Sequence, residues 1–239
     1  MAVDCPFSVV SLRQQVYDYL RGQMNRGELR PGSTINIKDM SARFGISLTP
    51  LREALLQLET EGFVTIFPRK GIVVNPLSED DIRHAYEVIG ALEAAVVFNE
   101  RAKIKSTETV RMRHLNGLMR EALERQDFTT FYDHNIAFHN VYLDLSNNDR
   151  LVRTVMILKQ RLYDFPRREG FVKEWEITST GEHERFIELL ESGDAKEASD
   201  YMRDVHWSFD VQRPWIHRYY QELERDDAVR SSPAGGSRS

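Results

Sequence analysis

The sequence predicts a mainly α protein in two parts: three short helices closed by a β-hairpin, then an all-α bundle of six helices. Three observations predict it. Apolar residues recur at helical spacing with caps at the ends up to residue 62, two β-rich runs flank a basic turn at 63–74, and almost no β pattern follows.

From Ser11 to Arg26, Leu12, Val16, Tyr19 and Leu20 fall on one helical face, and Gly27 follows where a left-handed residue costs least. Leu29-Arg30-Pro31-Gly32 is turn chemistry. A second short helix is expected from about Ile37 to Phe44, stopped by Gly45. Ser47 stands as N-cap of a third, with Pro50 in its first turn and Leu51, Ala54, Leu55 and Leu58 on one face. Phe63–Phe67 and Gly71–Val74 then read as strands around Pro68-Arg69-Lys70, a short hairpin with a basic tip. Together these elements describe a winged helix-turn-helix, in which the third helix enters a major groove by its N-terminal end and the hairpin reaches the neighbouring backbone.

Asn75-Pro76-Leu77 breaks the hairpin, and Ser78-Glu79-Asp80-Asp81 opens a new helix with a cap and acids at the positive end of the dipole. Helices are expected at about 78–101, 106–126, 128–146, 149–164, 175–192 and 194–222. The expected domains are therefore 1–75, 76–225 and a disordered polar tail, 226–239.

With 239 residues, 41% hydrophobic and 29% charged, the chain has the apolar content to offset the entropy of ordering. Cys5 is the only cysteine, which excludes an intrachain disulfide and a cysteine-based zinc finger. Residues 1–10 carry Asp4 and Pro6 in place of a basic start, and no window holds the roughly 20 apolar residues of a spanning helix. A cytoplasmic protein without membrane partners is expected. The net charge of −5 is uneven: residues 1–75 hold 9 Lys/Arg against 7 Asp/Glu, the remainder 23 against 30. An acidic whole does not exclude DNA, because phosphates respond to the local field of a basic face.

In the second part the histidines carry the chemistry. Asn135 and His139 are four apart and share a helical face, while His183 and His206 belong to the fifth and sixth helices. Antiparallel packing can bring the four together as a site for Zn²⁺, Ni²⁺ or Mn²⁺ with open positions for water or an anion. Read alone, three histidines spread over the bundle also fit core or surface roles. A metal-dependent hydrolase or lyase is the competing function, but only Asp144, a turn beyond His139, offers itself as a base.

The blocks Gly27–Gly32, Ala42–Leu55 and Leu58–Val64 resemble, in order, the DNA-binding domain of the GntR family of bacterial transcription regulators. The resemblance implies DNA contacts from Lys38, from Ser47, Leu48, Thr49 and Arg52, and from the hairpin residues Arg69, Lys70 and Gly71. One departure matters. The family usually has Arg immediately before Thr-Pro, where this chain has Leu48, so an operator differing at that base step is expected: Arg bonds guanine bidentately and Leu offers only apolar contact.

Phe138-His139, Ser146-Asn147-Asn148, Glu182-His183, Gly193-Asp194 and Met202-Arg203 before His206 resemble the ligand-binding FCD domain of the FadR-like branch, in its six-helix VanR-like form. That resemblance implies a divalent metal on Asn135, His139, His183 and His206, a small carboxylate effector, a homodimer, and a palindromic double-stranded operator. Asn135 replaces the commoner acidic ligand. The Arg that often stands three residues before Leu-Glu is Ile89 here, ahead of Leu92-Glu93, which leaves Arg161, with Tyr163 nearby, as substitute effector contacts.

Overall fold

The computed structural model describes residues 11–164 and 172–219, which divide into two compact units with the boundary between Leu77 and Ser78. Cys5 and the tail from 226 lie outside the described residues.

In the first unit, α1 (Leu12–Asn25) starts at Ser11, whose hydroxyl accepts from the Gln14 amide at 3.2 Å. It buries Val16, Tyr17, Leu20 and Met24 along one face. Helix α2 (Ile37–Phe44) is capped by Asn36, which accepts from the amides of Lys38 and Asp39, and it stops at Gly45, where φ is 63°. Only a residue without Cβ takes that conformation cheaply. Helix α3 (Leu48–Thr60) turns Leu51, Ala54, Leu55 and Leu58 inward.

Strands β2 (Val64–Phe67) and β3 (Gly71–Val74) form the expected hairpin, with Thr65 opposite Val73 and Ile66 opposite Ile72. A third strand, β1 (Thr34–Ile35), pairs antiparallel with β3, giving the order β1-β3-β2. Phe63, Val64 and Val74 close the sheet onto the helices.

The second unit begins with α4 (Glu79–Asn99) and a full capping box between Ser78 and Asp81. A 3-10 turn at Arg101–Lys103 leads to α5 (Ser106–Glu124), followed by α6 (Phe128–Leu143) behind its Asp127 cap, α7 (Asp149–Asp164), α8 (Lys173–Ser192) and α9 (Ala195–Tyr201). Helix α5 packs on α6 and α8, and α4 on α9.

The expected single helix at 194–222 is interrupted. After α9 the chain winds as one π turn, Met202–His206, closed by the Trp207 amide on the Met202 carbonyl at 2.9 Å. It turns at Trp207-Ser208 and restarts as α10 (209–219), and 220–222 lie outside the described residues. The cause is packing. Consecutive residues of an α-helix point 100° apart, whereas here both His206 and Trp207 are buried, Trp207 against Gly90 and Glu93 of α4. Among the described residues, no helix is long and apolar enough to cross a membrane.

Candidate functional site

His139 projects from α6, His183 from α8, and His206 ends the π turn. A ring nitrogen of each lies within 4.8 Å of the other two, and all three residues are buried. Asn135 is buried one turn before His139 on the same helix.

Two of the imidazoles are held from behind by carboxylates. Nδ1 of His139 lies 3.0 Å from Oε2 of Glu93 and 2.7 Å from the Tyr142 hydroxyl, which itself donates to Glu93. Nδ1 therefore carries the proton, and Nε2, buried and without a hydrogen-bond partner, presents its lone pair. Nδ1 of His206 lies 2.8 Å from Oε2 of Glu182, whose other oxygen accepts from Gln212 at 2.9 Å. Gln212 in turn accepts from the Trp175 indole at 2.8 Å. His183 is positioned differently, by stacking on Phe138 at 4.1 Å between ring centroids, and neither of its nitrogens has a hydrogen-bond partner.

Burial, and secondly the nearby Lys159 ammonium, pull His139 down to about 3. Burial and the neighbouring His206 likewise take His183 well below the usual histidine range. These two rings are thus kept neutral, the state that binds metal. Convergent, buried imidazoles, two of them with ring nitrogens that lack a partner, are a donor set that a borderline divalent ion satisfies, so these residues fit a metal.

Glu93, Lys159 and Trp207 are among the side chains of this site that escape a reading of the sequence. Glu93 is fully buried, where burial alone would raise it, but Lys159 and His139 hold it well below the usual carboxylate range. Its Oε2 also accepts from the Trp207 indole at 2.8 Å, and its Oε1 pairs with the Lys159 ammonium. Lys159 is buried to 1% exposure on α7, with its ammonium 5.0 Å from the Trp207 ring centre. Gly90 permits this assembly, since a Cβ there would stand 3.0 Å from Cβ of Trp207 and 3.5 Å from the Arg203 backbone.

Arg161 pairs with Asp81 at 3.4 Å, in the first turn of α4 and 12 residues, or roughly 18 Å along the helix, from Glu93. The side chain of Tyr163 lies outside the described residues. Asp144 is the exposed C-cap of α6, turned to solvent while the histidines are buried.

In the first unit, Lys38 is exposed in the first turn of α2, and Thr49 and Arg52 are exposed at the start of α3. Ser47 is the N-cap of α3 but makes no side-chain capping bond. Leu48 is half-buried against the domain core. Arg69, Lys70 and Gly71 form the exposed hairpin tip, Arg69 with φ of 64° and Gly71 with φ of 108°.

A winged helix-turn-helix beside a helical bundle holding three buried histidines defines the class of molecule. Residues 12–74 match the family described as bacterial regulatory proteins, gntR family, and residues 84–206 match the FCD domain. The chain belongs to the GntR family, with an FCD domain as its second part.

Among its relatives, the HTH-type transcriptional repressor RspR of Escherichia coli (strain K12) is 27% identical over 148 residues, 62% of this chain and 65% of that protein. An uncharacterized HTH-type transcriptional regulator of the TAR-I region of Agrobacterium vitis is 32% identical over 126 residues, 52% of this chain and 74% of the relative. The solved E. coli McbR/YncC has the same fold, with a TM-score of 0.67 at 21% identity over 90% of this chain and 99% of that one. These relatives are named as regulators, not as enzymes.

Proposed function

We propose that this protein is a homodimeric, cytoplasmic transcription regulator that binds a palindromic operator through its first unit and a small carboxylate through a metal held in its second. The observation that carries the reading is the pairing, in one chain, of an exposed polar N-terminus on α3 with a buried cluster of three imidazoles. Thr49 and Arg52, with Ser47, would face base edges, Lys38 and the hairpin residues Arg69 and Lys70 would take phosphates, and Gly71 lets the wing approach the backbone. Leu48 is left to contact a thymine methyl.

His139, His183 and His206, with Asn135, would hold the ion, which when bound supplies a Lewis-acidic position for an anionic ligand. Charge supports a carboxylate: a divalent ion beside Glu93, Glu182 and Lys159 leaves one net positive charge in a buried site, which a monoanion neutralises. For the dimer, Val88, Ala91, Ala95 and Phe98 share the outward face of α4, and Val88 and Phe98 are exposed. Coupling follows by linkage, since a ligand that prefers one dimer geometry shifts operator affinity.

The test is elemental analysis of untagged protein after Zn²⁺, Ni²⁺ or Mn²⁺ supplementation, on the parent and His139→Ala, with DNA binding measured on a site selected from a random pool. Near-stoichiometric metal is expected in the parent and lost in the variant, with DNA binding retained in both. A parent that takes up no metal overturns the metal assignment, and selection of no DNA site overturns the regulator.

A further inference from the structure

The two carboxylate–imidazole pairs behind the cluster are not equivalent. Glu182 meets His206 and Gln212, and among the described residues no ammonium or guanidinium pairs with it. Glu93 has three neutral donors on Oε2 but a buried ammonium, Lys159, on Oε1.

A carboxylate that accepts the proton-bearing nitrogen of an imidazole makes the opposite nitrogen a better donor, and losing such a partner typically weakens metal binding by about 10- to 100-fold. An ammonium on the same carboxylate works the other way, and it adds a fixed positive charge in a medium that screens poorly. Structurally the ammonium balances the charge of the buried Glu93, but a buried ion pair is costly relative to apolar side chains of similar volume, and the three donors on Oε2 of Glu93 hold the geometry of that carboxylate without it. Among the described residues the Lys159 ammonium pairs with no other carboxylate and otherwise meets the face of Trp207.

We infer that Lys159 is a charge brake on the metal site: through Glu93 it holds the affinity of the three-histidine cluster for a divalent ion below what the ligands alone would give. This rests on the proposed metal reading of the cluster. It also gives the site a use for anionic ligands, because a weakly held ion gains most from a negative group that completes its shell.

The test is competition of chelator-stripped, full-length protein with a chromogenic chelator for Zn²⁺ and for Ni²⁺, on the parent, Lys159→Met, Lys159→Arg, Glu93→Gln, Glu182→Gln and the double variant Glu93→Gln/Lys159→Met. Lys159→Met is expected to bind about tenfold tighter, Lys159→Arg like the parent, and Glu93→Gln and Glu182→Gln about tenfold or more weaker. The double variant keeps the net charge and should return within a few-fold of the parent. Tighter binding is not a result that damaged packing produces. If Lys159→Met does not fold, the double variant against Glu93→Gln carries the same comparison, with the double expected to bind tighter.

Lys159→Met binding equally or more weakly overturns the brake while leaving the metal reading intact. Absence of binding in every variant overturns both.

Discussion

Trp207 donates its indole N–H to Oε2 of Glu93 at 2.8 Å, so the residue following His206 closes on the same carboxylate that orients His139. Two histidines of the cluster, from the π turn and from α6, are thereby tied to one anion on α4. The arrangement is shared rather than pairwise, and a change in Trp207 is felt at both rings.

Trp207→Phe keeps most of the apolar ring but leaves Glu93 with one donor fewer in a site with no solvent. The expected cost is about 1–3 kcal/mol, the worth of one hydrogen bond to a charged acceptor that keeps its other two donors. At the size of this chain each kcal/mol corresponds to roughly 2–4 °C in the melting temperature. Urea unfolding of parent and variant checks it, and a change below about 0.5 kcal/mol would mean that the indole bond contributes nothing.

Acid should destabilise the metal-free protein well before carboxylates titrate. His139, at about 3, and His183, also depressed, are neutral when folded but take a proton near 6.5 when unfolded. Below that value the unfolded chain binds more protons, so stability is fully present above about pH 6.5 and is lost as pH falls, by at most about 1.4 kcal/mol per pH unit for each ring. Thermal melts of chelator-treated protein from pH 7.5 to 4.5 should decline from about pH 6.5 downward, and a bound divalent ion should move the decline to lower pH. A flat profile to pH 5 would show that the rings are not held neutral.

Much of the first unit was legible because its signals are local. Asn36, Gly45 and Ser47 sit at helix ends where chemistry and position coincide, and Pro68-Arg69-Lys70 separates two β-rich runs. β1 was not, since two residues make no pattern and Thr34–Ile35 form a strand only by pairing with β3 some 40 residues away. The histidines were legible as residue types on separate helices. Their outer partners were not, because Glu93 and Lys159 read as ordinary solvated charges in helices. A signal was present: Glu93 lies on the apolar face of α4 with Ile89, Val96 and Val97, and Lys159 is one turn beyond Val155 on α7, both positions where a charge needs a partner. The break after Tyr201 had no local cue, since no proline or glycine marks it and the π turn answers to the packing of Trp207 over Gly90.

Leu48→Arg should alter which operator is chosen more than whether the protein folds. Leu48 lies at the start of α3 with its side chain half-buried on the core, and a longer aliphatic stem can keep part of that contact while the guanidinium reaches out. The variant is expected to gain preference for a guanine at one base step of each half-site, by about 1–3 kcal/mol over the other bases. Selection from a random DNA pool with parent and variant reads this out. The same consensus from both would place Leu48 away from the base edges.

Arg52 and Lys70 should separate by how their loss depends on sequence and on salt. Arg52 is exposed one turn into α3, beside the half-buried Leu48, where a helix entering the major groove by its N-terminus brings a guanidinium to base edges. Arg52→Ala is therefore expected to cost about 1–3 kcal/mol on the selected operator and much less on random duplex. Lys70 is exposed at the hairpin tip, and a point charge meeting phosphate carries no sequence information. Lys70→Ala should weaken both DNAs alike and reduce the slope of log affinity against log salt by about one. Both variants leave the core residues Leu51, Leu55 and Val74 untouched, so unchanged melting curves are the control. Equal losses for Arg52→Ala on operator and random DNA would make it a phosphate contact, and the sequence reading would then rest on Ser47, Leu48 and Thr49.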